Sequence, residues 1–288
     1  MNKEGFIMPS SIHDRAVLHN GVQMPWVGLG VYKAEDGDEV IQSIKWALDA
    51  GYRSIDTASL YNNETGVGQA IAESNVPREE IFITTKVWNT DQGYEKTLAA
   101  FDASLERLGL DYVDLYLIHW PVPGKYKETW KALEKIYNEG RVKAIGVSNF
   151  KQHHLEDLMR EAEIKPMVNQ VEYHPRLSQE KLLAFCKEQG IQLEAWRPLL
   201  KGEIFEEPTL VELADKYNKS VAQIILRWDL QNGVVTIPKS VTQHRIEENI
   251  ELFDFELSNE DMTRISALNQ DKRNGADPDD PEFYKQFE

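Results

Sequence analysis

The sequence predicts an α/β fold in which one (β/α)8 barrel domain spans residues 1–288. The first indication is a set of eight short apolar segments, rich in Val, Ile and Leu, without the alternation of half-exposed strands. The second is that segments of helical periodicity separate them, as the βαβ units of a parallel sheet require. The third is length, because 288 residues suit one closed barrel of this kind. An open doubly wound sheet is the structural alternative.

The strands are predicted in chain order from the apolar segments. Asn20-Gly21 lies between apolar flanks, and this dipeptide favours the type I′ turn of a hairpin. We therefore expect an N-terminal β-hairpin over about residues 15–25. The eight barrel strands are expected at residues 26–29, 53–55, 81–85, 112–118, 142–147, 167–171, 191–195 and 234–237.

Helical periodicity fills the intervals between the strands. Residues 94–108 carry apolar side chains spaced alternately by four and three positions, which predicts a helix with one buried face. Gly51 is placed to end the helix that precedes the second strand. The last interval holds two helical patterns, at residues 208–217 and 220–231. The terminal segment, about residues 269–288, is rich in Asp and Pro, so we expect an irregular loop there.

Composition narrows the possible partners. The formal charge is −16, with 48 acidic against 32 basic residues, and this argues against nucleic acid and anionic membranes as partners. The N-terminal residues lack the apolar core of a signal peptide, and no apolar run has membrane-spanning length. We therefore expect a cytoplasmic protein. Its one cysteine, Cys186, falls on the apolar face of a predicted helix and is expected to be structural.

Ionisable side chains follow three consecutive predicted strands, at the end of the barrel where active sites lie. Asp56 ends the second strand, Lys86 the third and His119 the fourth, and Tyr61 lies shortly after Asp56. The pKa of free tyrosine is about 10, and an adjacent ammonium is expected to lower it. A carboxylate would keep that ammonium charged, and a histidine would donate a hydrogen bond to a substrate oxygen. Together these groups would polarise a carbonyl and protonate its oxygen.

Other interpretations of these residues remain. Each of the four groups alone is more often structural than catalytic, and a noncatalytic binding protein on the same barrel is one alternative. A barrel glycoside hydrolase is another, with Glu172 and Glu194 as its two carboxylates. However, the fourth strand ends in histidine, and we expect structural roles for both glutamates. No HExxH or His-x-His pattern occurs, and His153 and His154 are expected to point in different directions, so no metal site is predicted.

Six stretches of the chain carry a specific resemblance. They read GYRSIDTASLYNNETGVG, FITTKVWN, DLYLIHWP, KAIGVSNF, NQVEYHP and IPKSVTQHRIEEN. In this order and spacing they resemble the signatures of the aldo-keto reductase superfamily, over the chain from the Asn20-Gly21 hairpin to the C-terminal tail. The similarity is greatest to the bacterial branch that reduces glyoxals, small aldehydes and diketogluconates.

The resemblance implies a function. Asp56, Tyr61, Lys86 and His119 match the catalytic tetrad of the family, with Tyr61 as general acid, Lys86 tuning it and His119 orienting the carbonyl. The reaction implied is reduction of aldehydes or ketones to alcohols. The cofactor implied is NADPH, bound extended across the barrel mouth without a Rossmann fold. The resemblance also implies a monomer that takes a small carbonyl compound as substrate.

The resemblance further implies residues that contact cofactor and substrate. For the cofactor these are Ser148, Asn149 and Gln170 at the carboxamide, Trp196 against the nicotinamide ring, Leu199 close after it, Lys239, Ser240 and Arg245 at the 2′-phosphate, and Glu248 and Asn249 at adenine. For the substrate they are Tyr32, Trp88 and Trp120. Arg197 departs from the pattern, because many relatives have a serine there that touches the pyrophosphate. Our hypothesis is that Arg197 reaches the pyrophosphate instead.

Overall fold

Eight parallel strands curl into one sheet in the computed structural model, which describes residues 6–287. The strands are β1 (Arg15–Val17), β2 (Gln23–Pro25), β3 (Leu29–Gly30), β4 (Ser54–Asp56), β5 (Phe82–Val87), β6 (Val113–Ile118), β7 (Val142–Ser148), β8 (Val168–Glu172), β9 (Gln192–Trp196) and β10 (Val235–Thr236). β1 and β2 form the predicted antiparallel hairpin. β3 to β10 lie in chain order, each parallel to the next. The predicted fold class and all eight barrel strands are therefore confirmed, with most boundaries displaced by one or two residues.

The first and last barrel strands meet. Gly28 N donates to Thr236 O at 3.0 Å, and Thr236 N donates to Trp26 O at 3.1 Å. A second parallel bridge joins Gly30 to Lys239. The sheet is thus closed on itself, and the open doubly wound alternative is excluded.

Helices cover the outside of the barrel. They are α1 (Asp38–Asp49), α2 (Glu64–Ala72), α3 (Tyr94–Leu108), α4 (Tyr126–Asn138), α5 (Gln152–Met159), α6 (Glu180–Gln189), α7 (Pro208–Tyr217), α8 (Val221–Gln231), α9 (Gln243–Glu248), α10 (Asn259–Ser266) and α11 (Pro281–Lys285). Trp130 of α4 and Trp228 of α8 are fully buried. β5 and β6 are buried at every position, as strands covered on both faces should be. In the described part of the chain, no helix is long and apolar enough to span a bilayer.

The terminal segment is not wholly irregular. Residues 281–285 form the short helix α11, where a loop was expected. Asp280 caps this helix by accepting a hydrogen bond from Glu282 N, and Pro281 occupies its first position. Asp280 and Pro281 therefore form a local signal for the start of a helix within the acidic tail. Residue 288, the end of the predicted loop, and residues 1–5 of the predicted domain lie outside the described residues.

A glycine lets two of the outer helices approach closely. Gly68 of α2 faces the end of α3, where an added Cβ would lie 2.0 Å from the backbone oxygen of Leu108. This oxygen belongs to the main chain, so it cannot move aside as a flexible side chain can. The contact between α2 and α3 therefore requires a residue without a side chain.

We expect Gly68→Ala to lower the free energy of unfolding by about 1–3 kcal/mol, as overpacked core positions do. This loss should exceed the gain of about 1 kcal/mol that alanine brings through helix propensity. Urea unfolding of the parent and of Gly68→Ala measures the net change in the free energy of unfolding. Thr65→Ala, at an exposed position of the same helix, serves as control. A Gly68→Ala protein as stable as the parent would show that the two helices separate without loss.

Candidate active site

A cavity of about 620 Å³ opens at the carboxyl ends of the barrel strands. It brings together most of the residues predicted from the sequence. Those lining it are Tyr32, Asp56, Tyr61, Trp88, His119, Trp120, Ser148, Asn149, Gln170, Trp196, Arg197, Leu199 and Lys239. Lys86 lies beneath Asp56 and Tyr61 and does not line the cavity. Ser240, Arg245, Glu248 and Asn249 do not line it either, and follow Lys239 toward and along α9.

The buried ammonium of Lys86 joins two of the predicted catalytic groups. Its Nζ donates to Asp56 Oδ1 at 2.6 Å, to Thr57 O at 2.9 Å and to Tyr61 Oη at 3.2 Å. In the sheet Asp56 pairs with Thr84, and alternate residues share a face, so Asp56 and Lys86 point into the barrel together. Burial alone would lower the pKa of Lys86, but Asp56 and Tyr61 raise it to about 12 overall. The lysine is therefore charged at neutral pH, with all three N–H groups used.

Tyr61 lies on a single 3₁₀ turn, Ser59–Tyr61, that follows β4. Burial raises the pKa of its phenol to about 12, although the ammonium of Lys86 acts in the opposite direction. The ammonium lowers the pKa, as expected from the sequence, but the expectation that the pKa would lie below its ordinary value was wrong. The sequence shows the neighbour but not the burial, and here burial dominates. Tyr61 is consequently protonated throughout the neutral range.

His119 follows β6 and faces the phenol from the other side of the cavity. Its ring centroid lies 5.9 Å from that of Tyr61 and 5.0 Å from that of Trp88. Burial, and then the charge of Lys86, hold the pKa of His119 well below its ordinary value. The imidazole is therefore neutral and has one N–H to donate. Its buried Nδ1 has no hydrogen-bond partner within residues 6–287.

Amide and hydroxyl groups at the ends of β7 and β8, together with the indole of Trp196 from β9, form another wall. Asn149 adopts a left-handed conformation, with φ of 63°. It donates to His119 O at 3.0 Å and accepts from Trp196 Nε1 at 2.8 Å. Ser148 Oγ donates to Gln170 O at 2.7 Å. These bonds fix the indole of Trp196 as a rigid aromatic surface beside the polar groups.

Cations surround the mouth of the cavity. Among residues 6–287, its lining includes Lys33, Arg197, Lys201 and Lys239, whereas Asp56 is the one carboxylate and is paired with Lys86. On a chain with a net charge of −16, this local excess of cations favours a phosphate-bearing ligand. Lys33 and Lys201 were not predicted, because isolated lysines in loops have no distinguishing pattern.

The segment after β10 carries the other predicted phosphate contacts. Lys239 and Arg245 are exposed, and neither forms an ion pair in the part of the chain that the structure describes. Ser240 Oγ accepts from Thr242 N at 3.1 Å, and Asn249 is buried just after α9. Glu248 contributes its backbone oxygen to Gln223 Nε2 at 3.0 Å. Among residues 6–287, this segment therefore presents two cations without an ion pair, Lys239 at the cavity and Arg245 on α9.

Arg197 is turned toward the C-terminal tail. Its Nη1 donates to Asn274 Oδ1 at 2.7 Å, and its guanidinium lies 5.2 Å from the centroid of the Trp196 ring. The backbone at Arg197 has φ of 53°, which is uncommon for a residue with a side chain. Nη1 is therefore engaged with the tail, whereas the other N–H groups of the guanidinium donate to none of residues 6–287.

The terminal segment was expected to form part of the pocket wall, and the structure shows which of its aromatic residues do so. Phe283 packs on Trp120 with ring centroids 4.6 Å apart, and Phe287 packs on Trp88 at 5.3 Å. Phe283 also lines the cavity. The available signal was three aromatic residues in an acidic terminal segment, a composition otherwise typical of exposed chain.

Charges tie the tail to α5. Lys151 Nζ contacts Asp277 at 2.6 Å and Asp279 at 2.8 Å. His153 and His154, which were expected to point in different directions, both reach Asp279 Oδ1, with ring centroids 4.0 Å apart. Lys151 N donates to His154 Nδ1 at 3.0 Å, so the proton of the neutral ring is on Nε2. That nitrogen is therefore a donor to Asp279 and not a free metal ligand.

The two glutamates considered for a glycoside hydrolase lie outside the cavity lining. Glu172 Oε1 accepts from Asn274 N at 2.6 Å and from Gly275 N at 2.9 Å, which fixes the tail beside Trp196. Glu194 is fully buried in the barrel. Neither carboxyl group reaches the cavity, so the geometry does not favour glycoside hydrolysis.

Comparisons with known proteins agree with this geometry. The model of the Aldo/keto reductase family matches residues 27–270. Glyoxal reductase of Bacillus subtilis is 65% identical over 273 residues, which cover 95% of this chain and 99% of that protein. Methylglyoxal reductase DkgA of Escherichia coli is 48% identical over 266 residues, or 91% and 96% of the two chains.

A solved structure extends the comparison to the fold. The crystal structure of a Gox0644 mutant in complex with NADPH has a TM-score of 0.88 and 45% identity, and the match covers 92% of this chain and 97% of that one. The predicted enzyme class is confirmed by these matches, and the predicted cofactor agrees with the NADPH in that complex. The chain belongs to the aldo/keto reductase family.

Proposed function

We propose that the protein reduces small aldehydes and ketones, glyoxals among them, to alcohols with NADPH, and that Tyr61 is the proton donor. The observation that carries the proposal is the bond of Tyr61 Oη to the buried ammonium of Lys86, 3.2 Å away, at the base of the cavity. The names of the relatives, glyoxal reductase and methylglyoxal reductase, support the substrate class.

The residues of the cavity fit NADPH. Trp196 offers an aromatic surface, and Ser148, Asn149 and Gln170 offer hydrogen-bonding groups beside it. Gln170 Oε1 accepts no hydrogen bond from the described residues, which leaves an acceptor for a carboxamide N–H. Lys239 and Arg245 match the charge of a 2′-phosphate. When bound, the cofactor supplies the hydride that the carbonyl carbon receives.

The residues of the chain supply the rest of the reaction. His119, as a neutral imidazole, donates a hydrogen bond to the carbonyl oxygen and polarises it. Tyr61 then gives its proton to that oxygen as negative charge develops there, which completes the alcohol. The phenolate left on Tyr61 is stabilised by Lys86, whose charge Asp56 maintains.

The walls of the cavity favour small substrates. Tyr32, Trp88 and Trp120 line it with aromatic surface, and Phe283 of the tail narrows it further. Diketogluconate-type sugars are the second proposed substrate class. A panel of glyoxal, methylglyoxal, simple aldehydes and a diketogluconate, assayed with NADPH and NADH in parallel, separates the two classes. No NADPH oxidation with any of them would favour the noncatalytic binding protein.

We expect Tyr61→Phe to lower kcat by about 10²–10⁴-fold, the usual contribution of general acid catalysis. NADPH binding, followed by quenching of tryptophan fluorescence, should be retained because the phenol does not contact the proposed phosphate cations. Tyr112→Phe, which lies before β6 at the opposite end of the barrel, is the control for tyrosine removal. A kcat near that of the parent would show that Tyr61 is not the general acid.

Lys239→Ala and Arg245→Ala should each raise the KM for NADPH by about tenfold, since hydrogen bonds to charged groups contribute about 1.5–3 kcal/mol. The KM for NADH should change little, because NADH lacks the 2′-phosphate. Arg160→Ala, an exposed arginine on the outer surface just after α5, controls for loss of positive charge. Equal changes in the KM for NADPH and for NADH would show that these two cations do not recognise the 2′-phosphate.

Arg197→Ser and Arg197→Ala should both weaken NADPH binding if Arg197 reaches the pyrophosphate. Asn274→Ala, which frees the guanidinium from its partner in the tail, should then leave the affinity unchanged or raise it. Titration calorimetry at two salt concentrations measures the three variants. If both Arg197 variants bind NADPH as tightly as the parent, the guanidinium does not contact the pyrophosphate. It would then stay bound to Asn274 in the complex with NADPH.

A further inference from the structure

Glu194 is an acidic residue inside the barrel that the proposed mechanism leaves without a role. It lies on β9 and has an exposed fraction of 0%. Its Oε2 accepts from Gln170 Nε2 at 3.0 Å, and the same nitrogen donates to Asp56 Oδ2 at 2.7 Å. One side-chain amide thus bridges two buried carboxyl groups, of which one belongs to the catalytic set.

The charges in this region do not balance if both carboxyl groups are ionised. Lys86 is the nearby cation, and its three N–H groups are already bound to Asp56, Thr57 and Tyr61. Within residues 6–287, no cation forms an ion pair with Glu194. A buried carboxylate without a partner is strongly disfavoured relative to the neutral acid. The geometry therefore indicates that Glu194 retains its proton.

The electrostatic surroundings agree with this assignment. Burial and then the charge of Asp56 raise the pKa of Glu194 to about 8, against weaker opposing effects of Gln170 and Lys86. On the neighbouring strand β8, the charged residue is Glu172, whose carboxylate is already held by backbone N–H groups of the tail. The other neighbour, β10, consists of Val235 and Thr236 and brings no charge.

The bridge also fixes which way the amide of Gln170 points. Its NH₂ group has two hydrogens, and Asp56 and Glu194 accept one each. Rotation of the amide by half a turn would place its oxygen against the carboxylate of Asp56, where Nε2 now lies 2.7 Å from Oδ2. The NH₂ group is therefore held inward, and Oε1 is the atom available to the cavity that Gln170 lines.

We propose that Glu194 is a positioning residue, kept as a neutral carboxylic acid, that holds Gln170 with its oxygen toward the cofactor cavity and leaves Asp56 as the one carboxylate beside Lys86. The catalytic consequence rests on the proposed reductase function. Ionisation of Glu194 adds a second negative charge beside Lys86, so the ammonium stabilises the phenolate of Tyr61 less. Reduction should then slow as Glu194 loses its proton.

The test that does not depend on activity is the melting temperature of the parent and of Glu194→Gln as a function of pH. A group whose pKa is raised on folding stabilises the protein fully below its unfolded value, here 4.5, and loses this contribution as pH rises to about 8. The melting temperature of the parent should therefore fall relative to Glu194→Gln across this interval and then stay at a constant difference. A constant difference over the whole interval would overturn the proposal.

Glu172→Gln is the matched control, because Glu172 is equally buried but has the opposite shift. Burial would raise the pKa of Glu172, but hydrogen bonds from His174 and from the backbone of Asn274 and Gly275 lower it overall. The parent should therefore lose stability relative to Glu172→Gln as pH falls, the reverse of the trend for Glu194.

Infrared spectra of the unliganded protein provide a second measurement. In the difference spectrum between the parent and Glu194→Gln, the carbonyl stretch of protonated Glu194 should vanish as pH rises through about 8. Burial also raises the pKa of Asp229, but its band is common to both proteins and cancels in the difference.

Two further readouts separate positioning from general stability. Glu194→Gln keeps an oxygen that accepts from Gln170, whereas Glu194→Leu removes it, so NADPH affinity should fall several-fold in the leucine variant alone. The kcat for reduction should fall above pH of about 8 in the parent and remain level in Glu194→Gln. Equal affinity losses or identical pH profiles would overturn the positioning role. If no carbonyl is reduced while the melting and infrared results hold, the reductase function alone is wrong.

Discussion

The charged lysine sealed inside the barrel is the constraint on which the site depends. An ammonium with no exposed surface is tolerated only because one carboxylate, one backbone carbonyl and one phenol accept its three hydrogens. These partners come from β4 and from the turn after it, so the position of that strand fixes the position of Tyr61. The proposed acid is therefore held by the same bonds that make the buried charge possible.

The C-terminal tail completes the cavity that lies at the ends of the strands. Glu172 holds the backbone at Asn274 and Gly275, and Lys151 holds Asp277 and Asp279 farther along. Between and beyond these anchors, the tail lies against Trp196 and brings aromatic rings to Trp88 and Trp120. The rigid barrel thus sets the reacting groups, while a segment bound by a few polar contacts sets the width of the opening.

Much of this arrangement could be predicted from the sequence. Strand positions follow from local apolar runs, and the ends of parallel strands meet at one rim, so Asp56, Lys86 and His119 were placed correctly in the barrel. The conformation of the tail could not be predicted, because its contacts with Trp88 and Trp120 are distant in sequence and follow no periodic pattern. The direction of the Tyr61 pKa shift was also missed. The sequence gives the identity of a neighbour but not how much water both groups lose, and here that loss decides the sign.

The junction that closes the barrel has a consequence for ligand binding. β3 and β10 are the shortest strands of the sheet, with two residues each, and they meet through few backbone hydrogen bonds. Gly30 and Lys239, paired across this junction, both line the cavity. A cofactor bound to Lys239 would lie against this junction and help to hold its two short strands together. Bound cofactor would then reduce local opening of the sheet between β3 and β10. A single molecule would serve both as reagent and as a structural part of the barrel.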